Sequence, residues 1–310
     1  MSQFPFPTDP VLVAIAIAYR NQRYIADDVL PRVVVGKSEF KYNKFPVEET
    51  FARPDTKVGR KSEPNMIDLT SEEETGHTED FGLDDFIPQA DIDGAPANYN
   101  PKGHAVQQLT DYVALDREVR TAELMFAAAS YAAGLTVALS GTAQFDDYVN
   151  STPIDTIMDA LDQPLMRPNE MTFGQRPYSV LRRHPDMVKA VHGNSGDKGV
   201  VNAAQMAEVF EVERIHVGQS RLNIAKKGQD ASLARVWGNH ISMNFIDRNA
   251  DTKQGITFGY TAEYGGKVAG EMEEKKKGLR GGVTVRSGES VKELVVASQA
   301  GYLIQNAVSG

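Results

Sequence analysis

The sequence predicts an α+β fold, and three observations carry that expectation. A single helical pattern fills residues 100–134. Short β-branched runs and short capped helices alternate after it. Before it lies a stretch of about sixty residues with few apolar side chains, too long to be an ordinary loop. The pattern shows no internal repeat.

Pro10 suits the first turn of a short helix over Asp9–Tyr19, after an extended, helix-averse start at Phe4, Pro5, Phe6 and Pro7. Its apolar run, Val11–Ala18, is too short to span a bilayer and lacks a preceding basic segment. Pro31 breaks any helix in YIADDVLP, and Arg32–Val35 reads as a strand. In 36–99, Glu39–Ala52 has a strand-like pattern with Phe40, Tyr42 and Phe51 among charges. Pro46, Pro54 and Pro64 favour an edge. His77–Pro88 is the expected returning arm, with Phe81, Leu83 and Phe86 as its contacts. Such a segment needs something to pack on, and another copy of the chain is the natural partner.

The central helix has Asn100 as cap, Pro101 at its first position and Gly134 as its stop. At 1.5 Å per residue it would run about 50 Å. Leu115, Val119, Ala122, Phe126, Ala129 and Ala133 form the expected buried stripe. Asp116, Arg117, Glu118, Arg120 and Glu123 fall off it. Strands are expected at Leu135–Leu139, Glu170–Gly174, Glu213–Val217 and, centrally, Val236–Ile246. Helices are expected after Thr152, at Pro177 and Pro185, and behind Asn202, with a mobile loop at 194–199. Ile256–Tyr264 and Gly282–Arg286 flank the charged turn GEMEEKKKGLRG. SVKELVV and AGYLIQNAV close the chain.

The chain of 310 residues carries a net charge of −9 and no cysteine, which excludes disulfides and thiolate metal sites. No Lys or Arg lies between Lys61 and Lys102, whereas 11 acidic residues do. The rest is nearly neutral. A sequence-specific nucleic-acid binder would be basic on one face, and the acidic run reads as a solvated, mobile loop.

No motif supplies chemistry. RVVVGKS has Pro31 where a phosphate loop needs its first glycine. Asp91-Ile-Asp93-Gly94 lacks the further ligands of a calcium loop. Gly265, Gly266 and Gly270 fail the dinucleotide fingerprint. His77, His104, His184, His192, His216 and His240 are scattered, with His184 and His192 read as surface residues. No serine sits in a nucleophile elbow. Catalytic, cofactor and metal residues are therefore expected to be none, and the chain is not expected to be an enzyme.

Four segments, taken in order, resemble the major capsid proteins of tailed bacteriophages, with the Hong Kong 97-type fold. They are ADDVLPRVVVGKSEFKYNKF (26–45), PNEMTFGQRPYSVLRRHPDM (168–187), MAEVFEVERIHVGQS (206–220) and VRSGESVKELVVASQAGYLIQNAV (285–308). The resemblance implies an N-terminal arm at 1–35 and an extended loop at 36–99. It implies a peripheral domain at 100–164 and 251–293, with the helix as spine, and an axial domain at 165–250 and 294–310. It further implies pentamers and hexamers of an icosahedral shell that encloses double-stranded DNA without reading its sequence. Portal, scaffolding and decoration proteins are the implied partners, with assembly in the host cytoplasm and no membrane. No long scaffold helix precedes residue 35, which favours a separate scaffolding protein or a cleaved precursor. In some members a loop lysine is cross-linked to a neighbour; Lys41 and Lys44 occupy that region and read better as salt-bridge residues. The alternatives are an encapsulin shell around enzymes, or a small-molecule enzyme with a mobile lid at 36–99.

Overall fold

The computed structural model describes residues 8–18, 24–44, 53, 56–60, 62–64, 66, 72–193, 198–226 and 228–310. The expected Phe-Pro start, Phe51, Pro46, Pro54 and positions 194–197 of the expected loop lie outside them.

The chain begins with α1 (Pro10–Ala18), α2 (Ala26–Val29) and β1 (Arg32–Val35). Asp9 caps α1, accepting from the Val11 and Leu12 amides. β2 (Glu39–Lys44) then pairs with β3 (Glu72–His77), antiparallel, Glu39 opposite His77. The strand after it, β4 (Glu79–Pro88), is not the returning arm of that hairpin. It pairs instead with β12 (Gly282–Val295), from Gly282 opposite Pro88 to Val291 opposite Glu79. The sequence could not separate the two, because only Thr78 divides them.

One sheet has the order β1-β11-β12-β4. Its centre is the long hairpin of β11 (Gly259–Glu274) and β12. Both strands outrun the sequence expectation. Gly265 and Gly266, each at φ 72°, form a bulge between Tyr264 and Lys267 that bends β11 without ending it. The charged residues Glu271, Glu273 and Glu274 continue the strand, with only residues 275–281 left as the turn.

The second sheet has the order β5-β13-β10-β6-β7. It comprises β5 (Thr136–Ala138), β6 (Glu170–Gly174), β7 (Arg214–Gly218), β10 (Ile241–Asn244) and β13 (Gly301–Gln305). β10 is central, as expected for its region, but spans four residues because positions 236–240 turn away. The sheet carries α5 (Pro153–Leu161), α6 (Gln175–Leu181), α7 (Pro185–His192) and α8 (Ala203–Phe210). Asn202 and Gln205 cap α8 reciprocally. Phe145, Ile157, Leu161, Met171, Phe173, Leu181, Met206 and Ile304 fill this core. Residues 135–164, grouped by the sequence with the helix domain, thus place β5 and α5 in this second unit.

A short helix, α3 (Gln89–Asp93), follows β4, and the long helix, α4 (Pro101–Met125), links the two sheets. It starts as expected, with Asn100 accepting from the Gly103 amide. It stops at Met125, well short of Gly134, and is therefore about 37 Å long. The Ser130 and Tyr131 hydroxyls reach back to the Leu124 and Met125 carbonyls, both at 2.7 Å. Tyr131 is in turn held against Phe258, ring centroids 5.0 Å apart. This tertiary capping overrides the helix propensity of the alanines that follow.

The buried face also differs from the expected stripe. Val106, Leu109, Val113, Thr121, Ala122 and Met125 are buried, whereas Leu115, Val119 and Phe126 are half-buried and Ala129 and Ala133 exposed. Arg117 and Glu118, expected off the packed face, are 2% and 0% exposed. Phe40 and Tyr42 pack on Val35, Tyr260 and Ala262 of their own chain. The base of the 36–99 excursion therefore has its cover at home. The described residues 53, 56–60, 62–64 and 66 are all exposed.

Candidate functional site

A densely bonded junction lies in the second half of α4. Glu118 receives four donors from three segments. The Ile25 amide donates at 3.1 and 3.0 Å and the Ala26 amide at 2.8 Å. The Ser220 hydroxyl donates at 3.2 Å and the Trp237 indole N–H at 2.6 Å. Glu118 thereby supplies the cap that α2 lacks locally. The same carboxylate ties down both ends of a two-stranded ribbon, β8 (Arg221–Asn223) with β9 (Leu233–Arg235). Burial pushes the Glu118 carboxyl above the usual carboxylate range, against the four donors. Trp237 closes the junction, edge-on to Phe126 at 5.6 Å.

One residue earlier, Arg117 turns to the arm and sheet. It donates to Asp27 and, at 3.0 Å, to the Thr261 hydroxyl. Arg32 meets the same Asp27 at 2.6 Å, Glu289 at 2.7 Å and Glu263 at 3.1 Å. Burial raises the Asp27 carboxyl, but Arg117 and Arg32 outweigh it and hold the group at about 2. A cavity of about 360 Å³ lies alongside, between Ile17, Tyr24, Arg32, Arg117, Lys267 and Glu289. Lys267 crosses it to the Ala16 carbonyl at 3.1 Å. Its lining holds cations and carboxylates in balance, so it has no preference for an ion of either sign. Arm, helix and hairpin are locked together by charge as well as by apolar contact.

Between Glu72 and Asp93 the acidic run is not the loop that its composition suggests but two strands and a short helix. Arg286 grips Asp84 with two bonds, 2.6 and 2.7 Å. Lys292 meets Glu79 at 2.6 Å, Ser290 donates to Asp80, and Arg120 lies 3.5 Å over the Phe81 ring. The cations on β12 are spaced to neutralise β4, which no reading of 63–93 alone could reveal. Leu83 remains exposed and Phe86 lies under Lys277. Lys41 pairs with Glu73 at 2.6 Å, the salt bridge expected of it, while the Lys44 side chain lies outside the described residues.

Two histidines need separate treatment. His192 is exposed, as read, but His184 is fully buried. Its Nδ1 accepts the Asp186 amide at 3.2 Å and so caps α7; Nε2 lies 3.2 Å from the Ser151 hydroxyl. Desolvation pushes its pKa down, against Asp186. Serine, histidine and aspartate are thus close, but the arrangement is not a nucleophile. With Nδ1 accepting a backbone N–H, the proton sits on Nε2, which cannot take another from Ser151. Ser151 itself donates to the Asp147 carbonyl at 2.7 Å. A histidine directly before the proline that opens a helix is the sequence signal for this capping role.

At the start of β6, an inner strand of the second sheet, Glu170 is buried among Arg248 (2.9 Å), Arg214 (3.1 Å) and His216 (2.9 Å). Burial raises its carboxyl, and His216 and Arg248 together bring it below the usual range. Among the described residues no group of three or more His, Asp or Glu side chains is placed to hold a metal ion. No helix among them is long and apolar enough to cross a membrane.

No family model matches the chain. A major capsid protein of Pseudomonas phage JBD67 is 54% identical to it over 309 residues, covering all of both chains. Among solved structures, a phage-related protein from Bordetella bronchiseptica RB50 superposes with a TM-score of 0.75 at 22% identity, covering 97% of each chain. The capsid structure of cyanophage P-SCSP1u does so with a TM-score of 0.59 at 12% identity, covering 98% of this chain and 92% of the other. The N-terminal segment clamped on a long helix, the two sheets and the full-length likeness agree, and the chain belongs to the bacteriophage major capsid proteins, with the Hong Kong 97-type fold.

Proposed function

We propose that copies of this chain form pentamers and hexamers that close into an icosahedral shell around double-stranded DNA. Residues 1–35 act as an arm and 36–99 as an extended loop. The domain around the long helix is peripheral, and the unit on the five-stranded sheet is axial. The chain is a structural protein without catalysis. Portal and scaffolding proteins, with or without a decoration protein, are its partners, and assembly takes place in the host cytoplasm. The net charge of −9 favours this reading over tight DNA binding, since a container must release its contents.

The observation that carries the proposal is the excursion between β2 and β3. Its strand base is buried at home through Phe40 and Tyr42, yet every described side chain from 53 to 66 is exposed, Met66 at 96%. An excursion of this kind finds cover on an adjacent copy, and heterologous contacts of that sort close into rings. Deleting residues 53–66 tests it while sparing Phe40, Tyr42 and β4. The intact chain should give closed shells by negative-stain microscopy. The shortened chain should melt as the intact subunit does yet stay unassembled; closed shells built from it would end the proposal.

A further inference from the structure

The ribbon of β8 and β9 contains an arrangement that its own chain does not explain. Arg221 and Arg235 stand directly opposite each other, as register partners on one face of a two-stranded ribbon. Like charges in that position destabilise a strand pair. Both are exposed, and neither has an ion-pair partner among the described residues. The ribbon is nevertheless held firmly at its base. The Val236 amide donates to the Ser220 carbonyl at 3.1 Å, and Ser220 and Trp237 both end on Glu118. The fold thus fixes two exposed arginines opposite each other on one face, where a pair of carboxylates would relieve their repulsion.

We propose that Arg221 and Arg235 form a clamp for the carboxylates of residues 63–93 of a second copy of this chain. The inference rests on the shell-building reading above. Three features choose this occupant. Leu233, two residues from Arg235 and therefore on the same face of the ribbon, is 59% exposed, giving the arginine-plus-apolar composition of a protein contact. Of the two long stretches with carboxylates and no Lys or Arg, 62–101 holds 11 acidic residues and 121–166 only six. Within 62–101, Asp84 and Glu79 are already matched by Arg286 and Lys292, whereas Glu63, Asp85 and Asp91 have no ion-pair partner among the described residues. Planar guanidinium groups suit bidentate capture of such carboxylates.

Arg221→Glu separates a clamp from a merely structural pair. It turns the repulsive Arg–Arg opposition into an attractive Glu–Arg one, so the unassembled subunit should melt at the same temperature or slightly higher. Assembly should fall at least tenfold in the yield of closed shells by sedimentation. Wild-type yield from this variant would overturn the clamp while leaving the shell reading intact. So would normal shells that merely hold less DNA, which would make the pair a nucleic-acid contact. Failure of the unaltered chain to form shells would strike the shell reading itself. The partner is identified with Arg235→Lys, which keeps the charge and supplies an amine. Shells of this variant, assembled from a mixture of isotope-labelled and unlabelled chains, are treated with a carbodiimide and digested. The expected product is an amide between position 235 and a carboxylate of 63–93, with mixed isotope labels. Bonds only within one copy, only to other carboxylates, or to none would overturn the assignment.

Discussion

Glu118 and Glu170 are the same residue type, both almost wholly buried, and the two regions of the molecule treat them oppositely. Glu118, at the junction of arm, helix and ribbon, meets only uncharged donors: two amides, a hydroxyl and an indole. Burial dominates there and its carboxyl is pushed up. Glu170, at the start of β6 in the second sheet, meets two arginines and a histidine, and its carboxyl is held down despite burial. The first is a knot of directed hydrogen bonds, sensitive to shape. The second is a charge cluster, sensitive to pH in the opposite sense.

The largest effect that would break this comparison comes from Glu118→Leu. Removing the acceptor strands four donors, and the cost should be on the order of 3–5 kcal/mol in chemical denaturation of the subunit. A loss below about 1 kcal/mol would show that the junction is not a structural centre. Glu170→Gln should cost less, roughly 2 kcal/mol, because Arg214 and Arg248 are partly exposed and can turn to water.

Acid sharpens the contrast between them. A carboxyl held down contributes stability above the ordinary carboxylate pKa and loses it as pH falls through its lowered value. One pushed up contributes most at low pH and loses that stability as pH rises through its raised value. The penalty of Glu170→Gln should therefore shrink between pH 7.5 and pH 4, whereas that of Glu118→Gln, which copies the protonated form, should grow. Melting curves at the two pH values decide; penalties that moved together would remove the distinction. The smallest effect belongs to the surface ladder. Asp84→Asn, in a pair exposed on both sides, should change stability by less than about 0.5 kcal/mol and fade further in high salt.

Much of the architecture could be read from the chain. Proline and asparagine punctuation placed α1, α5, α7 and α8, and the start of α4, since capping is a local matter of one side chain and the next turn. What failed was long-range. The helix stop depends on Tyr131 and Ser130 folding back, themselves held by Phe258. The acidic strand β4 is stable because cations two hundred residues later lie beside it. His184 looked like a surface residue because its partners, Ser151 and Tyr148, lie more than thirty positions earlier.

The sequence by itself determined the α+β class, the long central helix, the lack of a recognisable catalytic motif and the likeness to phage shell proteins. Each follows from local pattern or from segments in a fixed order. Tertiary structure alone decided which face of that helix is buried. Periodicity counts apolar side chains and so favoured the Leu115 stripe. The folded chain instead buries Arg117 and Glu118, because an arm, a hairpin and a ribbon converge there with the donors and acceptors that make burying charge tolerable.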